Sequence, residues 1–302
     1  MLRMLLLMVG WVCLSFARVH AADVITYPRP ESPADHRGEY AVELLRLALN
    51  DGGPAVSLQP AAEVMNQERA LLALRSGQGL RVLWTMTTVE REALALPIRI
   101  PIYKGLIGWR LALVHASHSN LLASVKSAAQ LAELTAGQAA EWPDTDILRA
   151  NGLKVVTSTN YGSLFKMLSR GRFDYMPRSI SEIWSEATWH RADGLMVDDS
   201  IVLHYPAAVY FFVAKSDPAL AERIRLGLER LVADGRFDRL FYAYHAEQIE
   251  RARLSQRRVI ELRNPNTGEV IPGATMTGLE IYAAIYSLYI QKALERDAAL
   301  AP

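Results

Sequence analysis

Ala207-Ala208-Val209-Tyr210-Phe211-Phe212-Val213-Ala214 is an unbroken apolar run, and Lys215-Ser216-Asp217-Pro218 follows it directly. Apolar residues without polar alternation read as a strand buried on both faces. Asp217 then caps a helix with proline at its first position, and Leu220, Ile224, Leu228 and Leu231 recur at helical spacing until Gly235 stops the run. A buried strand feeding a capped amphipathic helix is an α/β unit, and the same alternation recurs upstream. Val24 to Tyr27 is a first strand. Tyr40, Leu44, Leu47 and Ala48 mark a helix ended by Gly52-Gly53, and Pro54 to Leu58 is a second strand. Glu63 to Arg75 is a helix closed by Gly77, and Leu80 to Met86 a third strand, completing a βαβαβ order with the largely parallel sheet that it implies.

A second series begins after Pro97 to Leu106, a segment placed to cross between lobes. It holds strands at Leu111 to His115, Leu153 to Val156 and Phe173 to Met176. Its helices end at Asn151-Gly152 and, with the stripe Tyr161, Leu164, Phe165 and Leu168, at Gly171. Ser179-Ile180-Ser181-Glu182 has the form of a capping box ahead of Ile183, Trp184 and Ala187. A chain of 302 residues exceeds the size at which one core usually keeps growing, so two lobes are expected, although length alone also fits a one-core α/β barrel.

With 33 Lys and Arg against 32 Asp and Glu, the chain lacks the basic footprint of a nucleic-acid binder. Met1 to Ala21 opens with Arg3, continues in the apolar run Leu5 to Ala17 and ends in Val19-His20-Ala21, a small-x-small cleavage pattern. This is the form of a secretory signal peptide, its apolar run falling short of the roughly 20 residues of a spanning helix. Cleavage would leave 31 basic and 32 acidic residues and remove Cys13, the sole cysteine, so the exported chain would rely on core burial without disulfides. The tail beyond residue 262 carries a turn at Asn264 to Gly268 and a final helix around Leu279 to Leu294, interrupted by Glu280 and too short to span a bilayer.

Thr85-Met86-Thr87-Thr88-Val89-Glu90-Arg91-Glu92 with Pro101-Ile102-Tyr103-Lys104-Gly105, then Gly171-Arg172-Phe173-Asp174, then Val213 to Pro218 with Ala233-Asp234-Gly235-Arg236-Phe237-Asp238-Arg239-Leu240-Phe241, stand in that order. Together they resemble the family 3 extracytoplasmic solute-binding proteins of ABC transporters. The resemblance covers roughly residues 23 to 245 and implies the α/β, two-lobed, type II periplasmic-binding-protein fold with a hinge and an interlobe cleft. It implies a signal peptide at 1–21, lobe one from 22–109 with a return part at 205–262, lobe two at 110–204, and a tail at 263–302. The function implied is capture of a small polar, carboxylate-bearing solute, an amino acid or organic acid, in the periplasm. The partner is an ABC permease, the chain a monomer, with no cofactor, metal or nucleic acid.

Carried over residue by residue, Arg91 matches the arginine that clamps a ligand carboxylate, a task suited to a planar guanidinium. Thr85, Thr87 and Thr88 would offer hydroxyls to the same group. Tyr27 is placed as an aromatic wall, with Arg29 beside it in Pro28-Arg29-Pro30. Trp142-Pro143-Asp144-Thr145 opens a helix, Trp142 suited to stacking and Thr145 to hydrogen bonding. Amino-acid binders of this family generally carry an acid five positions after the aspartate of Gly171-Arg172-Phe173-Asp174. Here Ser179 stands there, preceded by Arg178, and a cation at that point would favour an anion over an ammonium. Ser179 and Arg178 are therefore expected in the site, and Glu182 is either the displaced acid or part of the capping box.

Two rivals share the fold. One is a sensor docking on a membrane signalling protein. The other is an enzyme like cyclohexadienyl dehydratase, with Asp144, Glu141 or Glu182 as the general acid. His115 and His118 stand three apart with no third metal ligand nearby.

Overall fold

A computed structural model describes residues 23–32, 35–51 and 56–266. The expected signal peptide, the Gly52-Gly53 stop and the terminal helix lie outside these residues. The elements run β1 (Asp23–Tyr27), α1 (Glu39–Asn50), β2 (Val56–Pro60), α2 (Gln67–Ser76), β3 (Val82–Met86), α3 (Val89–Leu94), β4 (Leu96–Ile98) and β5 (Trp109–His115). They continue with α4 (Ala128–Leu131), β6 (Thr135–Ala139), α5 (Pro143–Ala150), β7 (Lys154–Ser158), α6 (Tyr161–Ser169), β8 (Met176–Ser179) and α7 (Ile183–Trp189). The chain closes with β9 (Leu195–Val197), β10 (Ile201–His204), β11 (Val209–Val213), α8 (Pro218–Ala233), α9 (Arg236–Ala252) and β12 (Arg258–Glu261).

Local chemistry places these boundaries. Asp217 accepts the N–H of Leu220 at 3.2 Å and Pro218 occupies the first turn, so α8 begins where its cap demands. Asn66 caps α2 by accepting from Arg69, and Gly77, in the left-handed region, ends it. The Glu63 start expected for α2 thus moves to Gln67, because Asn66 is the residue able to cap. Of the expected capping box, half forms: Glu182 accepts from the Ser179 N–H at 3.3 Å, but the Ser179 hydroxyl takes the Ser181 N–H instead.

Strand direction departs from the largely parallel expectation. β1 pairs with β2, β6 with β7 and β10 with β12 in parallel. β11, fully buried as its apolar run requires, lies antiparallel between β3 and β4. β5 is antiparallel to β8, β9 and β10. The cause is topological: the chain leaves the first group of strands, builds the second and comes back, so a returning strand enters the earlier sheet from the opposite end. The strand expected at Phe173 to Met176 starts at Met176 instead, with Phe173 packed on Gly137 and Tyr175 making a single bridge to Ala136. β12, at the end of the expected return segment, pairs with β10 and so sits on the sheet of β5.

The outgoing and returning segments lie side by side. The Tyr205 N–H donates to the Gly108 carbonyl at 3.2 Å, and a Cβ at Gly108 would stand 2.1 Å from the Tyr205 oxygen. Only glycine permits that approach. A second close approach joins α8 to α1, where a Cβ at Gly227 would lie 2.0 Å from the Ala48 carbonyl oxygen. Gly227→Ala should push these helices apart and cost about 1–3 kcal/mol despite its better helix propensity, read as a lower urea midpoint at unchanged slope.

Candidate functional site

Between the two strand groups lies a cleft of about 970 Å³. One wall carries Tyr27 at the end of β1 and Trp84 in β3, whose ring centres are 6.1 Å apart. The opposite wall carries Trp142 at the start of α5 and Tyr161 at the start of α6, also 6.1 Å apart. Paired aromatic surfaces with charged groups between them suit a small polar solute.

The floor is built from ion pairs. Arg110 interrupts the apolar run Trp109 to Val114 of β5, and a lone guanidinium 4% exposed must find partners. Its Nη2 stands 2.6 Å from Asp144 Oδ1, with Glu182 Oε2 3.5 Å from Nη1. Tyr205 donates its hydroxyl to the same Asp144 oxygen, fastening the returning crossover to α5. Arg178 projects from β8 at 2% exposure. Its Nε donates to both oxygens of Glu186, at 2.8 and 3.0 Å, and Nη2 donates to Oε1 at 2.6 Å. Glu182 lies 3.1 Å from the same Nη2, Tyr161 donates to Glu186 at 2.6 Å, and the Arg178 guanidinium stacks 4.4 Å over Trp142. Burial pushes the Glu186 carboxyl up, but the charge and hydrogen bonds of Arg178 outweigh it and hold Glu186 below the usual range. Burial pushes Arg178 the other way, and Glu182 with Glu186 overcomes it, leaving the guanidinium more firmly protonated than usual.

Two further arginines tie the walls together. Arg37, ahead of α1, holds both oxygens of Asp35 at 2.7 and 2.8 Å and Glu31 at 3.1 Å, while its guanidinium lies 3.9 Å over the Tyr161 ring. Arg91, in α3, donates to the Thr85 hydroxyl, to the Met86 carbonyl at 3.1 Å and to Gln67 at 3.0 Å, and across the cleft edge to the Glu141 carbonyl at 3.0 Å. Burial lowers its pKa to about 10.

Of the residues expected to meet ligand, Tyr27, Arg29, Thr85, Trp142 and Arg178 line the cleft. Thr87, Thr88, Arg91, Thr145 and Ser179 lie behind its wall. Thr88 caps α3 by accepting from the Arg91 N–H, Thr87 donates to Glu92, Thr145 donates to the Ala139 carbonyl, and Ser179 is fully buried. The positive charge expected at Arg178 is answered by Glu186 and Glu182, so the ground for expecting an anion there does not hold. Arg37, Arg110, Tyr205 and Glu186 were not among the expected site residues. The visible signal for Arg110 was its position inside the apolar run Trp109 to Val114.

No protein-family model and no curated protein sequence matches the chain. Solved structures do. An ancestral arginine-binding protein bound to arginine superposes with a TM-score of 0.56 at 18% identity, over 74% of this chain and 97% of that one. An amino acid ABC transporter substrate-binding protein from Streptococcus pneumoniae bound to L-arginine gives 0.55 at 17%, over 75% and 95%. An ancestral amino-acid-binding protein, a precursor of cyclohexadienyl dehydratase, gives 0.53 at 17%, over 74% and 95%. At these identities the likeness is one of fold: the chain has the two-lobed type II periplasmic-binding-protein architecture expected from its sequence.

Proposed function

We propose that this chain is an exported, periplasmic solute-binding protein that captures a small polar solute between its lobes and presents it to an ABC permease. The carrying observation is the interlobe cleft, walled by Tyr27, Trp84, Trp142 and Tyr161 and floored by fixed charges. Binding in this reading is a clamp closing about two adjacent crossovers, Gly108 and Tyr205. Lobe one comprises the described residues from 23 to 109 and the chain from 205 onward through α9, and lobe two comprises 110–204 joined by β12. The solved structures resembling it support the same reading, being mostly binding proteins of amino acid transporters. Of the three carboxyls considered as a general acid, Asp144 is committed to Arg110 and Tyr205, and Glu182 to Arg178 and Arg110.

The test is a thermal-shift panel of amino acids, amines, organic acids and sugars on the purified chain. A solute at one hundred times its dissociation constant adds about 2.7 kcal/mol, or roughly 5 to 10 °C at this size. The shift should come with a change in tryptophan emission, since Trp84 and Trp142 line the cleft. A panel with no stabilising solute overturns the reading.

A further inference from the structure

We infer that the cleft selects a small organic cation, a solute bearing an ammonium or guanidinium group, with the Glu141 carboxylate as its acceptor. This rests on the solute-binding reading above. Among the described residues lining the cleft, five are arginines and seven are carboxylates. Three of the guanidiniums are already answered, half-buried Arg37 by Asp35 and Glu31, buried Arg110 by Asp144, and buried Arg178 by Glu186 and Glu182. At the mouth, Arg46 pairs with Glu43, and exposed Arg29 sends its Nε to the Ala61 carbonyl at 2.6 Å. Arg91, the residue matched to a carboxylate clamp, spends its terminal nitrogens on Thr85, Met86, Gln67 and the Glu141 carbonyl. The buried arginines therefore offer an entering anion no uncommitted guanidinium, and exposed Arg29, engaged only through its Nε, is the exception.

Glu141 stands opposite to this pattern. It lines the cleft, its Oε2 is shielded from solvent, and among the described residues no other residue donates to that oxygen. Among the described residues it forms no ion pair. Burial raises its pKa most, a hydrogen bond from its own backbone N–H opposes that, and the carboxylates of Glu31 and Glu68 raise it further against the charge of Arg91. A shielded carboxylate oxygen without a donor is costly to leave unpaired, and a ligand cation supplies the missing donor. The electron-rich faces of Tyr27 and Trp84 line the same cleft and favour that cation further.

The experiment is calorimetric titration of the full purified chain with putrescine, agmatine, choline and L-arginine, set against succinate and citrate, and repeated on Glu141→Gln. Glutamine keeps the side-chain size and the main-chain carbonyl that Arg91 uses, so the variant should keep the circular dichroism and melting point of the parent. At least one cation should bind, the dianions should not, and Glu141→Gln should weaken the cation about tenfold or more. Binding of succinate or citrate alone, or cation binding unchanged in Glu141→Gln, overturns the inference and leaves a solute receptor standing. No binding by any of these or by the broader thermal-shift panel overturns both.

Discussion

A Glu186→Ala chain is expected to melt roughly 6 to 20 °C below the parent. Glu186 and Arg178 are 4% and 2% exposed, and the carboxylate receives three contacts from that one guanidinium plus the Tyr161 hydroxyl. Removing it leaves Arg178 buried with Glu182 alone, and stranding one member of a buried pair costs about 3–5 kcal/mol. The discriminating control is the double replacement Arg178→Met with Glu186→Leu, which removes both charges and should recover most of the loss. If the single and double variants melt together, the pair is not what holds this corner. The same pair sets an acid limit. Because Glu186 is held below its unfolded value of about 4.3, its contribution is fully present above that pH and is lost as pH falls through its lower folded value. Urea midpoints between pH 7 and pH 3 should fall less steeply in the double variant than in the parent.

Asp144→Ala is expected to cost about 3–5 kcal/mol for a related reason. Of its carboxylate partners Arg110 would keep only Glu182, at 3.5 Å, and Tyr205 would lose its carboxylate acceptor while remaining fully buried. Tyr205→Phe separates the two contributions. It removes the hydroxyl but leaves Arg110 and Asp144 paired at 2.6 Å, so its cost should be nearer 1–3 kcal/mol. Equal losses in both variants, measured as urea midpoints at unchanged slope, would show that the Arg110 pairing contributes little. Since Tyr205 lies on the returning segment against Gly108, both variants also loosen the contact between that segment and α5.

Most of the fold was legible because its signals are local. α8 announces itself through Asp217, Pro218 and the stripe ending before Gly235, and the structure places it at Pro218–Ala233. Strand direction was not legible, because apolar periodicity says which residues are buried and nothing about which end of a sheet a strand enters. β11 shows both halves of this: its burial followed from its composition, its antiparallel pairing only from the excursion through the second lobe. The site was harder to read for the same reason. Tyr205 and Asp144 are 61 positions apart, so no spacing joins them. Arg91 stood in a recognisable motif, yet the motif records the residue and not what its nitrogens touch. Here they touch the protein.

The partner that Arg91 finds across the cleft edge is a main-chain oxygen, that of Glu141. Every amino acid presents that atom. Exchanging the side chain at position 141 would alter the chemistry of the cleft lining and leave the acceptor of that contact in place. In the proposed reading, selectivity and the contact across the cleft edge are thus carried by different atoms of one residue. On that reading, a lineage bearing this arrangement would change its cargo by single substitutions at 141 without first rebuilding the Arg91 contact.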